Sequence, residues 1–240
     1  MQTLILLCGL LCSADAAPAA DGPSPVRVVV VGDSTVASYK PDPAKPPIAG
    51  WGQVLGESFN DKVEVINLAV SGRSSKSFIK EGRWAKALEQ RPDYVLIQFG
   101  HNDCPGKGDR TTDPNGDYRD YLRQYISETR KAGARPILIT PMARRTFADG
   151  KITSTLIPYV EAMIAVGQAE NVPVIDLHTA SVELFNRLGD EGSADLSNAP
   201  DDRSHFSPKG ARKMAELIVE RLPKKEPSLG KYLKAGVAKP

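Results

Sequence analysis

The chain has 240 residues, 41% of them hydrophobic and 25% charged, which fits one globular domain and excludes wholesale disorder. Gly 20 and Pro 19 are too few for a collagen-like or low-complexity chain. With 31 basic against 29 acidic residues, a net charge of +2 and 6% aromatics, neither a nucleic-acid groove nor a base-stacking platform is expected.

In chain order, the first element is an apolar run from Leu4 to Cys12, too short to cross a bilayer. Ala14-Asp15-Ala16 follows it and fits a small-residue cleavage site, so residues 1–20 read as a signal peptide. The mature chain is expected to begin between Ala17 and Asp21, and the protein to be secreted or periplasmic. No later apolar run approaches membrane-spanning length, so no membrane partner is expected. Of the cysteines at 8, 12 and 104, only Cys104 would survive cleavage, so the fold must rest on its core rather than on an internal disulfide.

Five short apolar runs then read as strands: Val26–Val31, Lys62–Asn67, Tyr94–Phe99, Arg135–Thr140 and Val172–Asp176. They do not alternate with polar residues, which suits strands covered on both faces, as in a parallel sheet. Helices are expected over Gly52–Phe59, Arg83–Glu89, Asp117–Lys131, Thr155–Glu170, His178–Leu188 and Ser207–Leu222. The last begins with Ser at the N-cap and Pro at the first helical position. Strand–helix alternation predicts a doubly wound α/β domain over residues 21–222. Residues 223–240, with five lysines, read as a solvated basic tail partly packed by Tyr232 and Leu233.

In such a sheet ligands bind beyond the carboxyl ends of the strands. Three polar clusters land on that edge: Gly32-Asp33-Ser34-Thr35, Asn67 to Arg73, and Gly100-His101-Asn102-Asp103. A serine in such a turn can act as nucleophile if a base is near. His205 is the best base of the three histidines. Asp202, three residues before it, is spaced to reach Nδ1 and fix the tautomer that leaves Nε2 free; Asp201 competes, but its spacing is less favourable. The Ser34 and Gly72 backbone N–H groups and the Asn102 amide supply donors for an oxyanion. Asp33 and His101 read as structural, and His178 as an ordinary capping or core histidine.

These blocks, GDST, Gly72 in AVSGRS, GHND and DxxH in that order, resemble those of the SGNH (GDSL-type) hydrolases. GDSTVA, GWGQ, SGRSSKSF, EGRW, QFGHND and SHFSPKGA are similar, more narrowly, to rhamnogalacturonan acetylesterases. The resemblance covers residues 26–222. It implies a flavodoxin-like three-layer α/β/α sandwich on a five-stranded parallel sheet. It also implies Ser34 as nucleophile, His205 as base, Asp202 as its orienter, and Ser34, Gly72 and Asn102 as the oxyanion hole. Cys104 departs from the pattern, standing where Gln is expected after GHND. By this resemblance the protein is a secreted serine esterase that removes acetyl groups from pectic polysaccharide. An acetylated polysaccharide is the expected partner; no metal or cofactor is called for, and a monomer is expected. Arg73, Lys76, Arg144, Arg145 and Trp51 are candidate contacts to an acidic sugar chain.

Other readings explain less. An acetylesterase for another polymer such as xylan keeps the same site, while a lipid or thioester hydrolase wants a more apolar mouth than Arg73-Ser74-Ser75-Lys76 offers. A metal-dependent phosphoesterase could draw on Asp33, His101, Asp103, Asp202 and His205, but lacks a D-x-H after the first strand. A non-catalytic carbohydrate-binding protein does not need the intact constellation. No P-loop or GxGxxG is present.

Overall fold

The computed structural model describes residues 24–237. The expected signal segment, residues 1–20, lies outside them. Five strands form one parallel sheet: β1 (Val26–Gly32), β2 (Val63–Asn67), β3 (Tyr94–Gln98), β4 (Arg135–Ile139) and, as the fifth, β7 (Val174–Ile175). Their spatial order is β2-β1-β3-β4-β7, with every pair parallel. This is the flavodoxin-like order, whose switch point lies between β1 and β3.

The unalternating apolar runs are explained by the two layers of helices. Val28 and Val30 of β1 face one core, with Trp51, Phe185, Met214 and Leu229. Val29 and Val31 face the other, with Phe78, Trp84, Tyr118 and Tyr159. The first layer carries α1 (Trp51–Val54), α6 (Leu177–Gly192), α7 (Pro208–Lys225) and α8 (Pro227–Gly230). The second carries α2 (Ser75–Lys80), α3 (Arg83–Leu88), α4 (Asp117–Lys131) and α5 (Ile157–Ala169).

Several details differ from the sequence expectation. A two-stranded hairpin, β5 (Phe147–Ala148) with β6 (Lys151–Ile152), follows β4. α2 (Ser75–Lys80) falls where no helix is expected, and a capping box between Ser74 and Ser77 starts it. The boundary drawn at residue 222 falls inside α7, which runs through Pro223 to Lys225. Beyond it Leu229 is fully buried and Leu233 bridges Phe59, so apolar contacts fold this part of the tail back onto the domain.

Candidate functional site

The turn after β1 builds the site's centre. Asp33 O accepts from the N–H groups of Val36 and Ala37 at 3.2 and 3.0 Å, and its Oδ1 accepts from Thr35 N and Thr35 Oγ1 at 2.9 and 2.8 Å. The chain then crosses the start of α1 at close range, with Gly50 N donating to Ala37 O and Trp51 N to Thr35 O, each at 3.0 Å. A Cβ on Gly50 would stand 2.3 Å from the Val36 carbonyl carbon, so the GWGQ motif needs glycine there.

A buried polar chain runs beneath Ser34. Trp51 Nε1 donates to Gln98 Oε1 (2.8 Å), Gln98 Nε2 to Thr35 Oγ1 (2.7 Å), and Thr35 to Asp33. Asp33 Oδ2 lies 3.2 Å from His101 Nδ1, and His101 Nε2 lies 3.0 Å from Met142 O. Burial works against a charged Asp33, but His101 and Thr35 outweigh it and hold the carboxyl below its usual range. Trp51 is therefore corrected from a candidate sugar platform to a core residue: it is 0% exposed and its one donor is used.

Ser34 meets the loop before α7. His205 Nε2 lies 3.0 Å from Ser34 Oγ, and His205 Nδ1 lies 2.8 Å from Asp202 Oδ2. The other Asp202 oxygen accepts from Ser204 N and His205 N at 2.8 and 2.9 Å. Burial raises the cost of the Asp202 charge, but these two N–H groups and the imidazole lower its pKa further than burial raises it. The loop is pinned on both sides, by Ala49 N to Phe206 O and by Asn198 N to His205 O. Ser207 caps α7, accepting from Gly210 N at 3.1 Å.

The second and third clusters close on the same edge. Val70 N donates to Gly32 O, tying the loop after β2 to the turn that carries Ser34. Gly72 has φ +78°, a left-handed conformation that favours glycine and sets the direction of its amide. Asn102 Nδ2 donates to Arg73 O at 3.2 Å. Among the described residues, neither Ser34 N–H nor Gly72 N–H donates to a protein acceptor. Two free backbone donors and one half-free amide thus accompany a hydroxyl in line with an imidazole and a carboxylate. Such an arrangement can take a proton from the hydroxyl and hold a tetrahedral oxyanion.

The expected cationic rim is smaller than the sequence suggested. Arg145 is corrected to a structural residue: it is 3% exposed, and its guanidinium donates to Ser193 Oγ, Ser197 Oγ and Asp190. Arg73 pairs with Glu81 at 3.0 Å, and Lys76 Nζ donates to Thr111 O at 2.8 Å. Arg144 donates to Ser204 Oγ and His101 O at 3.0 and 3.1 Å, so it touches both the loop after β3 and the loop before α7. It also lines a cavity with Thr146, Thr153, Ser154 and Thr155. Cys104 is a core residue, 5% exposed, whose thiol burial keeps protonated and whose Sγ faces Gly100 O at 3.3 Å.

Tyr39 had no motif to announce it. Its hydroxyl donates to Ser34 O at 2.7 Å, and burial raises its pKa, keeping it a neutral donor. Gln98 stood inside QFGHND without an assigned role. Asp33, Asp103 and Asp202 are each engaged by protein donors, and among the described residues no cluster of three or more His, Cys, Asp or Glu could hold a metal ion.

A serine, histidine and aspartate in this geometry, at the switch point of a β2-β1-β3-β4-β7 sheet, belong to the SGNH type of carboxylic ester hydrolase. The profile of the GDSL-like Lipase/Acylhydrolase family matches residues 30–213, and the chain belongs to that family. It is 40% identical over 211 residues to rhamnogalacturonan acetylesterase RhgT of Bacillus subtilis (strain 168), covering 82% of this chain and 89% of that protein. The crystal structure of YxiM from Bacillus subtilis superposes with a TM-score of 0.74 at 27% identity, covering 84% of this chain and 57% of that one. Axe2, an acetylxylan esterase from Geobacillus stearothermophilus, shares the fold with a TM-score of 0.65 at 21% identity, over 83% of this chain and 94% of its own.

Proposed function

We propose that the protein removes O-acetyl groups from a pectic polysaccharide of the rhamnogalacturonan type, through an acetyl-serine intermediate on Ser34. The observation that carries the mechanism is the line Ser34 Oγ–His205 Nε2–Asp202, at 3.0 and 2.8 Å. His205 Nε2 takes the hydroxyl proton as Ser34 Oγ bonds to the acetyl carbonyl carbon. The carbonyl electrons move to oxygen, which the Ser34 and Gly72 N–H groups and Asn102 Nδ2 stabilise. Collapse breaks the bond to the sugar oxygen, which leaves with the proton from His205. Water, deprotonated by His205, then attacks acetyl-Ser34 and releases acetate with the serine restored.

The substrate assignment draws on the 40% identity to a rhamnogalacturonan acetylesterase and on the rim. Arg73 and Arg144 stand on loops around the site and Lys76 in the first turn of α2, and a uronate-containing backbone carries carboxylates that guanidinium groups can grip. Residues 1–20 serve, in this reading, as an export signal that delivers the enzyme to a polymer it could not meet inside a cell.

The test is acetate release across acetylated polysaccharides. kcat/KM should be higher on acetylated rhamnogalacturonan than on acetylxylan, and added salt should narrow the gap by screening exposed ion pairs. Equal values on both polymers, without salt dependence, would leave a general carbohydrate acetylesterase and refute the pectic assignment.

A further inference from the structure

We propose that Arg110 is a positioning residue for the oxyanion hole, acting through the amide of Asn102 and the backbone of Gly72. The inference rests on the reading of Asn102 as an oxyanion donor. Arg110 ends a short 3-10 turn, Gly108–Arg110, in the long connection between β3 and α4. That connection is held shut by Thr111 N to Gly108 O, Thr112 N to Asp103 O, and Thr111 Oγ1 to Cys104 O. The half-buried guanidinium has three hydrogen-bond partners, all neutral. Nη1 donates to Gly72 O at 2.8 Å and to Asn102 Oδ1 at 3.4 Å, and Nε donates to Lys107 O at 3.3 Å. One nitrogen therefore bridges two of the three elements of the hole.

The chemistry of an amide explains why the bridge matters. The oxygen and nitrogen ends of an Asn side chain are nearly the same shape, and a half-turn about the last bond exchanges them. Exchanged, Asn102 would present a carbonyl oxygen to a developing anion and oppose the reaction. A guanidinium can only donate, so it admits only Oδ1 on its side. The Arg73 carbonyl can only accept, so it admits only Nδ2, at 3.2 Å. Together they select one orientation and leave one Nδ2 hydrogen without a protein acceptor among the described residues. Donation to Oδ1 also polarises the amide and strengthens that remaining N–H. The bond to Gly72 O restrains the residue whose own N–H is the neighbouring donor.

The test is a double-mutant cycle on a small acetyl ester, with Arg110→Met, Asn102→Ala and the double variant, each checked by thermal melting. Arg110→Met should lower kcat by roughly tenfold or more, and by no more than the roughly 10²–10³ of losing one hole donor, with KM near wild type. The double variant should be slower than Asn102→Ala by clearly less than the Arg110→Met factor, the remainder being the share that acts through Gly72. Low, non-denaturing guanidinium should restore part of the lost kcat to Arg110→Met and none to Asn102→Ala. Losses that multiply in the double variant, or a change in KM alone, would overturn the proposal. If Asn102→Ala itself keeps full kcat, the hole has been misassigned and Arg110 falls with it. If Asn102→Ala is slow while Arg110→Met is normal, only the role of Arg110 is lost. Should Arg110→Met not fold, Arg110→Gln takes its place: its neutral amide ends two bonds short of the Nη1 position that makes both bonds, and wild-type kcat in that variant would equally refute the bridge.

Discussion

A carboxylate that must stay charged beside an imidazole needs donors of its own, and Asp202 obtains two from the backbone of the turn it starts. Those N–H groups fix one oxygen and leave Oδ2 for His205 Nδ1. Asp202→Asn should therefore keep the fold and place the wrong tautomer on His205, lowering kcat on a small acetyl ester by up to about 10⁴-fold. A loss of less than about tenfold would show that His205 is oriented by other means. Asp103 is the opposite case. Full burial pushes its pKa up to about 7 from the ordinary 3.8, against partial compensation by Ser75 and Thr112. Between those values the folded state holds a proton that the unfolded state has released, so this group's contribution to stability falls as pH rises from about 4 to about 7 and levels off above. Asp103→Asn removes that term. Its melting temperature relative to wild type should shift upward between pH 5 and pH 8, and a difference independent of pH would contradict the assignment. The triad was legible because its residues sit in short local patterns. The roles of Tyr39 and Gln98 were not, because each acts through a fold-dependent contact, Tyr39 with the Ser34 carbonyl and Gln98 across the sheet to Trp51.

Among the elements, β1, β3 and β4 were legible because their apolar, largely β-branched runs of 7, 5 and 5 residues are long enough for a buried strand and short for a helix. α4 was legible to the residue, from its amphipathic pattern and the Gly133 that follows at φ +79°. α2 was not, because a serine-rich stretch reads as loop until the Ser74–Ser77 capping box is seen. Hairpin β5–β6 has two residues per strand, too short for any alternation to show. Arg145 was misread for a physical reason of the same kind. Position after a strand suggested the rim, but Arg145 instead ties the segment after β4 to Asp190 in α6 and to Ser193 and Ser197 beyond it. Arg145→Met would leave buried hydroxyls and a carboxylate without their donor. We expect a loss of about 2–3 kcal/mol, a melting temperature lower by roughly 5–10 °C, and little change in kcat at 25 °C. Unchanged melting with a raised KM on the acidic polymer would return Arg145 to the substrate rim.

For the whole molecule, the sheet order brings Ser34, Gly72 and Asn102 to one edge, and α7 carries its N-terminal loop back to deliver Asp202 and His205. The order of chemistry along the chain was readable; the closing contact, between residues 171 positions apart, needed the fold. Cleavage of residues 1–20 during export should give a mature N-terminus between Ala17 and Asp21, read by N-terminal sequencing of exported protein, and an intact Met1 would exclude it. The central claim is that Ser34 is the nucleophile of an acetylesterase acting on acetylated rhamnogalacturonan. The most direct measurement is acetate release from that polymer by wild type and Ser34→Ala, both shown to be folded by their melting transitions. The account predicts turnover by wild type and no release above the uncatalysed rate by the variant. Retained release by Ser34→Ala, or none by either protein, would contradict it.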